Sequence, residues 1–391
     1  MSFSGKATYD AGAEPGYQIK EDLADNVAVI AAVKTPLLDT LGDALRPAKS
    51  THMEWLDDEN EVPRTLSTAS ATSAATAISV TSGEEAMFRA GDVLIVQEIT
   101  TTASASSYTG ERVLVTGTAS DTLQVTRGYG GSTAATIPDA SEVACVGHAA
   151  LEGADARDDY QRARDRRENW TQIFDKTIYT SGTEDAVDVG GVAPQSEFDY
   201  QKSKKLAQAL AVLEAAVING DVPASTPQGS ASVRRTMRGL IDFISTTVDG
   251  SSATSGLTKA LLELCIRTIW DNGGEPDLIV MNGYQQSKAA QFIDKTSQQM
   301  AVDQYVERIR QFVTDFGIQQ LVLSRYVPRD HVMVLDSKKI EVVPLQTRSF
   351  FYQDIARTGD SHKGQILGEY TMMIRNPDKA HGLITGLGFT L

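Results

Sequence analysis

The residues best suited to chemistry lie in a few short stretches, each of which can be held against what its chemistry requires. Asp315-Phe316-Gly317 matches the tripeptide whose Asp holds Mg2+ in protein kinases. No Gly-rich loop, strand lysine or His-Arg-Asp catalytic loop accompanies it. Gly359-Asp360-Ser361-His362 sets a hydroxyl beside an imidazole and a carboxylate, the ingredients of nucleophilic catalysis. A nucleophile elbow needs a hydrophobic strand and a G-x-S-x-G turn. Here Tyr352-Gln353-Asp354-Ile355-Ala356-Arg357-Thr358 is mixed and reads as a polar loop. A Ser/His/Asp site gathered in space stays open as the enzymatic alternative. Gly128-Tyr129-Gly130-Gly131 invites a phosphate-cradling reading, but the Lys-Ser/Thr and the helix of a P-loop are absent, so it reads as a β-turn.

Candidate cation ligands fare no better. Asp57, Asp58, Glu59 and Glu61 crowd four carboxylates together, without the turn glycine and alternating oxygen ligands of a hard-cation loop, and read as a solvated loop tip. His52, His148, His331, His362 and His381 are dispersed and show no metal-ligand spacing. Cys145 and Cys265 are too few and too far apart for a disulfide framework. Arg157, Arg162, Arg164, Arg166 and Arg167 could contact phosphate, yet Asp158, Asp159, Asp165 and Glu168 interleave with them. Residues 154–169 therefore read as an exposed helix or loop whose charges pair within the helix or between subunits. No catalytic residue, metal or cofactor is expected.

The whole chain supports that reading. It has 391 residues, enough for two or three domains, with 41% hydrophobic and 22% charged residues. Lys and Arg number 36 against 51 Asp and Glu, a net charge of -15. Such a field does not grip nucleic acid or an anionic membrane, although it suits the wall of a compartment that holds nucleic acid. The N-terminal residues have no signal-peptide core, and no run approaches the ~20 apolar residues of a membrane span. A soluble, intracellular protein is expected.

The elements are organised around Ser196–Gly220. Ser196 and Asp199 approximate a capping box, and Leu206, Leu210, Leu213 and Val217 form one apolar stripe before the Asn219-Gly220 stop. The helix would be a rod about 33 Å long. Before it, residues 1–50 offer little to pack, apart from a short apolar helix at Leu23–Ala32 and an extended Thr35 before Pro36. That segment is either a disordered tail or an arm ordered on another subunit. His52–Asp57 reads as a strand, and Asn169–Tyr179 as a long strand returning beside it. Between them, residues 65–147 shift to Thr, Ser, Ala, Val and Gly with short β-rich segments at 77–81, 93–96, 112–116, 122–126 and 143–146: a small all-β barrel or sandwich. After the spine come an apolar element at 237–244, a helix at 257–270 with Leu261, Leu264, Cys265 and Thr268 on one face, a strand at 277–281 and a helix at 284–294, an α/β core. Residues 305–316 fit either a helix or a hairpin turning at Asp315-Phe316-Gly317 before a strand at 321–323. Strands are expected at 331–335, 340–344, 365–374 and 382–389.

This order of parts resembles the tailed-bacteriophage major capsid proteins of the Hong Kong 97-type fold. Specific stretches are similar to an SU-ten-type subfamily with a β insertion: Lys34–Asp39, Glu54–Glu59, Val125–Gly131, Thr171–Phe174, Phe312–Gly317, Arg357–Asp360 and Gly368–Thr371. The resemblance implies an α+β fold with an N-arm at 1–50. It implies an extended hairpin loop at 51–185 containing the inserted β domain at about 65–150, and a peripheral domain with the spine helix at 186–255. An axial domain at 256–335 and returning C-terminal strands at 336–391 complete it. In such a fold the Phe312 region is a hairpin. The implied function is a non-catalytic shell protein that partners itself in hexamers and pentamers and encloses double-stranded DNA without reading its sequence. Portal, scaffolding and decoration proteins are further candidate partners. The implied location is the virion, after assembly in the host cytoplasm, without a membrane. Inter-subunit contacts are expected from Trp55, Asp57, Asp58, Glu59, Arg164, Arg166, Arg167, Trp170 and Phe174. A virion surface protein binding a ligand through the β module, and a soluble hydrolase, are the competing readings.

Overall fold

The computed structural model describes residues 34–42, 44, 46–58, 63–97, 110–153, 155, 164–186, 197–253, 256–293, 311–357 and 359–389. The expected helix at Leu23–Ala32, the cap at Ser196 and positions 305–310 lie outside them. In chain order the elements begin with α1 (Pro36–Leu41), β1 (His52–Asp57), β2 (Arg64–Leu66), β3 (Ala77–Ser79), β4 (Asp92–Gln97), β5 (Glu111–Ala119), β6 (Thr122–Thr126) and β7 (Glu142–His148). There follow β8 (Asp165–Trp170), β9 (Gln172–Ser181), α2 (Gly182–Ala186), α3 (Glu197–Asn219), α4 (Leu240–Phe243), β10 (Thr247–Asp249), α5 (Lys259–Asp271), β11 (Leu278–Met281) and α6 (Gly283–Ile293). The last are β12 (Gln311–Thr314), β13 (Gly317–Leu323), β14 (Val332–Leu335), β15 (Ile340–Pro344), β16 (Phe351–Ile355), β17 (Ser361–Ile374) and β18 (Gly382–Thr385).

Residues 56–165 form one compact unit. Its six strands run in the order β2-β7-β4-β5-β6-β3, all antiparallel. Strict alternation along β4 sends Leu94 and Val96 inward, where they meet Ile78, Phe88, Val113, Val115, Leu123, Val125 and Val143. The two outer strands do not stay open. Ser67 bridges Val80, and backbone bonds run from Thr68 to Ser79 at 3.0 Å and from Thr81 to Leu66 at 3.2 Å. Joining the edges in this way closes the sheet into a small barrel and removes exposed pairing sites.

The other unit comprises residues 1–55 and 166–391. A mixed sheet runs β10-β18-β14-β11-β13-β12, with β10–β18 and β11–β13 parallel and the remaining pairs antiparallel. All four residues of β11 and of β14 are buried, as strands covered on both faces require. Helix α5 starts at Thr258, whose side chain accepts the Leu261 N–H, and buries Leu262, Cys265, Ile266 and Ile269. That face is turned by about one residue from the expected one, and Leu264 is on the surface. The close approach of α5 to β18 decides it: a Cβ on Gly382 would stand 2.7 Å from the Cys265 sulfur and 2.8 Å from Ile269 Cδ1.

The spine helix α3 also differs from the expected stripe. Leu213 and Val217 are buried, but Leu206 is 39% exposed and Leu210 only half-buried, while Ala209, Ala211, Glu214 and Ile218 go inside. Only the C-terminal half of α3 lies on the main core with Met237, Leu240, Met333 and Met372. Near its start, Phe198 packs instead with Ile178 and Ile366.

Two corrections concern strands. Asn169–Tyr179 is not one strand beside His52–Asp57. The chain breaks at Thr171: β8 pairs with β1, while β9 pairs with β17 from Gln172↔Tyr370 to Ser181↔Ser361. The described end of 154–169, from Asp165, is therefore strand rather than the expected helix or loop. Tyr352–Thr358 is not simply a loop either, because Phe351–Ile355 is a strand paired with β17. It is an edge whose side chains are mostly exposed, so ladder bonds hold it and no hydrophobic pattern marks it. Residues 311–323 form the hairpin alternative, with Thr314 paired to Gly317 across the Asp315-Phe316 turn.

Candidate functional site

Most of the expected contact residues lie along or beside the β1–β8 pair. His52 stacks on Trp170 with ring centroids 4.1 Å apart, and its Nε2 lies 2.9 Å from a Glu168 oxygen. Arg166 donates to Glu54 and holds that carboxyl below its usual range, the hydrogen bond being the main cause. Arg167 donates to Asp378. Arg164 and Asp58 pair at 3.1 Å, both well exposed. The arginines thus have partners in their own chain, across strands rather than along a helix.

The aromatic members face inward. Trp55 is buried 5.9 Å from Phe243, and Phe174 is buried 6.5 Å from Phe350 and 6.4 Å from Tyr370. Asp57 is buried, Trp170 is partly covered, and Glu59 lies outside the described residues. Behind them is a polar node missed in the sequence. Asn169 donates to the carbonyls of Arg238 and Met372 at 3.1 and 2.8 Å and accepts the Trp170 and Arg238 N–H groups, each at 2.8 Å. Thr171 donates to Glu369 at 2.6 Å; Arg235 and Arg348 reach the same buried carboxylate at 2.6 and 2.9 Å. With every amide atom of Asn169 engaged and Glu369 doubly paired, the chain direction at Thr171 is fixed.

A second node lies where the first described residues meet α3. Glu214 is wholly buried, and the groups that meet it among the described residues carry no positive charge. One oxygen accepts the N–H groups of Leu37 and Leu38 at 3.1 and 3.3 Å, the other the Ser324 hydroxyl at 2.7 Å. Burial pushes its carboxyl up, against the downward pull of those hydrogen bonds, and Asp39 adds to the rise. The carboxylate satisfies amides at the start of α1 and so ties that short helix to the spine. Pro36 stands at its first position, where a missing N–H costs nothing.

In the barrel, the Gly-rich stretch has a structural explanation. Arg127 grips Glu111 in two-pronged fashion, Nε to Oε1 at 2.8 Å and Nη2 to Oε2 at 2.7 Å. Gly128 and Ala135 add backbone N–H bonds to the same carboxylate at 3.0 and 3.1 Å. Burial alone would raise the Glu111 carboxyl, but the Arg127 bond and those two amides leave it below the usual range. Gly128 takes φ +62°, and a Cβ there would meet the Ser132 carbonyl at 2.9 Å. The amide that would cradle a phosphate therefore already serves a carboxylate.

The other candidate motifs resolve into turns and strands. Ser361 opens β17 and is buried, while the next residue, His362, stacks on Phe198 at 4.0 Å and lies 3.4 Å from Asp354. Neighbouring strand residues point to opposite faces, so the two do not form a nucleophile–base pair. Asp315 and Phe316 are the turn of the β12–β13 hairpin, with Phe316 against Trp270 at 5.6 Å. Beside them an open groove of about 450 Å³ runs along Glu263, Leu264 and Arg267. No helix among the described residues is long and apolar enough to cross a membrane.

Comparison with known proteins agrees with this architecture. The capsid of the Myoviridae phage XM1 superposes with a TM-score of 0.52 at 9% identity, covering 96% of this chain and 100% of that one. The cyanophage A-1(L) capsid gives 0.51 at 10%, covering 95% and 98%. The capsid of a native GTA particle gives 0.51 at 9%, covering 98% and 100%. These likenesses establish the Hong Kong 97-type fold. No curated protein matches the sequence. The model of the SU10 major capsid protein family matches residues 4–388. The chain therefore belongs to the SU10 major capsid protein family, and the nodes just described are features of a structural, shell-forming protein of a virion.

Proposed function

We propose that copies of this chain assemble, as hexamers and pentamers, into the closed icosahedral head of a tailed double-stranded DNA bacteriophage. Assembly proceeds in the host cytoplasm, and the chain performs no catalysis. The family match over residues 4–388 carries this reading. The net charge of -15 supports an inner wall that contains DNA without holding it. Residues 1–50 act as an arm, 51–185 as an extended loop with an insertion at about 65–150, and 186–255 as the peripheral domain. Residues 256–335 form the axial domain, and 336–391 return as strands. Portal, scaffolding or decoration proteins complete the partners.

Contact with neighbours falls to the exposed Asp58, Arg164 and Arg166 and the partly covered Trp170, with Glu59. Trp55, Asp57, Arg167 and Phe174 support them from behind. The test is negative-stain electron microscopy of the purified chain, with light scattering on the same sample. Closed shells, tubes or rings of five and six subunits are expected; a stable monomer with measurable turnover would sink the proposal. Deleting residues 1–35 should impair particle formation while leaving the rest folded, and normal particles from that deletion would refute the arm.

A further inference from the structure

Asp92 opens β4 and His148 closes β7, and the two are direct partners across the ladder. Cys145 precedes His148 by three positions. In a regular strand that spacing puts two side chains on opposite faces, because the pleat alternates with period two. The register here shifts: Val93 faces Gly147 while Leu94 faces Cys145. Val146 is the extra residue, and its side chain is exposed. The bulge thereby brings thiol, imidazole and carboxylate to one place, with one ligand atom from each lying within 4.8 Å of the others.

The groups are arranged as a donor set. His148 Nδ1 is 2.9 Å from one Asp92 oxygen, and the other oxygen accepts the Arg89 N–H at 2.7 Å. The Cys145 sulfur lies 3.6 Å from the Gly147 carbonyl. Ligand atoms around a tetrahedral zinc ion stand about 3.2–3.8 Å apart, so closure asks only for small side-chain rotations. The imidazole of His148 is 66% exposed and Cys145 is half-buried. Asp92 is buried and oriented by the Arg89 amide, the kind of outer bond that fixes a carboxylate ligand. Thiolate with imidazole favours borderline and soft ions over Mg2+ or Ca2+.

We propose that Asp92, Cys145 and His148 bind a divalent cation of the zinc class, with water in the fourth position, stapling the ends of β4 and β7. On binding, the Cys145 thiol gives its proton to solvent and forms the metal–sulfur bond. Neutral His148 binds through Nδ1 with its proton on Nε2. The acidic trio His52, Glu54 and Glu168 is the competing site on geometry, but the Arg166 guanidinium on Glu54 opposes a second cation there.

The test uses the untagged full chain, stripped with chelator, titrated with Zn2+ by calorimetry and with Co2+ by absorption. One ion per chain is expected, with a thiolate-to-cobalt charge-transfer band. The near-isosteric Cys145→Ser and the surface change His148→Ala should each weaken binding at least about tenfold, and the serine variant should lose the band. His52→Ala should leave binding unchanged. No uptake by the wild-type chain, uptake unaffected by both variants, or uptake lost with His52→Ala would overturn the proposal.

Discussion

Glu111 in the barrel and Glu214 in the spine helix are both completely buried glutamates, yet their surroundings push them in opposite directions. Glu111 meets a two-pronged guanidinium and two amides, and its carboxyl falls below the ordinary range. Glu214 meets two amides and a hydroxyl, all neutral, and burial wins. Burial alone does not set the state of a carboxyl; whether a cation was brought in with it does. In the barrel the cation arrives on the adjacent strand end. At the spine the acid ties together residues from distant parts of the chain, and its charge is poorly compensated.

The largest expected effect comes from removing the barrel's cation. Arg127→Ala leaves Glu111 buried and unpaired and should cost about 3–5 kcal/mol in chemical unfolding. A double change of Glu111 to Leu and Arg127 to Met should cost less than either single one, and equal costs would break the comparison. Next comes Glu214→Ala, which strands the amides of Leu37 and Leu38 and the Ser324 hydroxyl. It should cost about 1–3 kcal/mol by the same measurement. Glu214→Gln should change stability at neutral pH by less than about 1 kcal/mol, since losing the buried charge offsets a weakened hydrogen bond.

The pH dependence is smaller and runs in opposite senses. With its folded-state value raised above 4.5, Glu214 stabilises less as pH climbs through that raised value. Wild type should therefore lose ground to Glu214→Gln on going from about pH 4.5 upward. Glu111, lowered from 4.5, gives stability above that value and loses it on acidification, so wild type should lose its lead over Glu111→Gln as pH falls. Parallel curves would refute the distinction. His381 adds a third window: burial pushes it from 6.5 to about 4, with Nδ1 accepting the Asp336 amide and Nε2 near the Arg375 carbonyl. Held neutral in the fold, it should lower stability as pH drops from about 6.5 to about 4, and His381→Asn should flatten that limb.

Periodicity made the local elements legible. The barrel strands at 93–96 and 122–126, the buried strand before Met281 and helix α5 all stand where apolar spacing puts them. Faces were harder, because Leu206 and Leu264 satisfy a helical stripe while the neighbouring surface decides which residues go inside. Edge strand β16 escaped notice because its stability is in backbone pairing. The nodes were invisible for a different reason. Glu214 meets Leu37 across 177 positions and Thr171 meets Glu369 across 198, and one sequence contains no signal for such pairs. The Asp92–Cys145–His148 trio was hidden by one inserted residue, since Cys-x-x-His reads as two faces until Val146 bulges out.

The long strand β17 has a mechanical consequence. For ten residues it is bonded to β9 on one side, and along part of that length to β16 on the other, with β15 continuing past Tyr370. Ladder hydrogen bonds lie across the strand axis. A sideways pull would open them one after another, but tension along the chain loads the whole row together. Any pull entering through β8 is turned at Thr171 and delivered lengthwise into that row, in shear. The subunit can therefore carry extension as a rope splice does, by sharing the load over length rather than concentrating it at one strong knot.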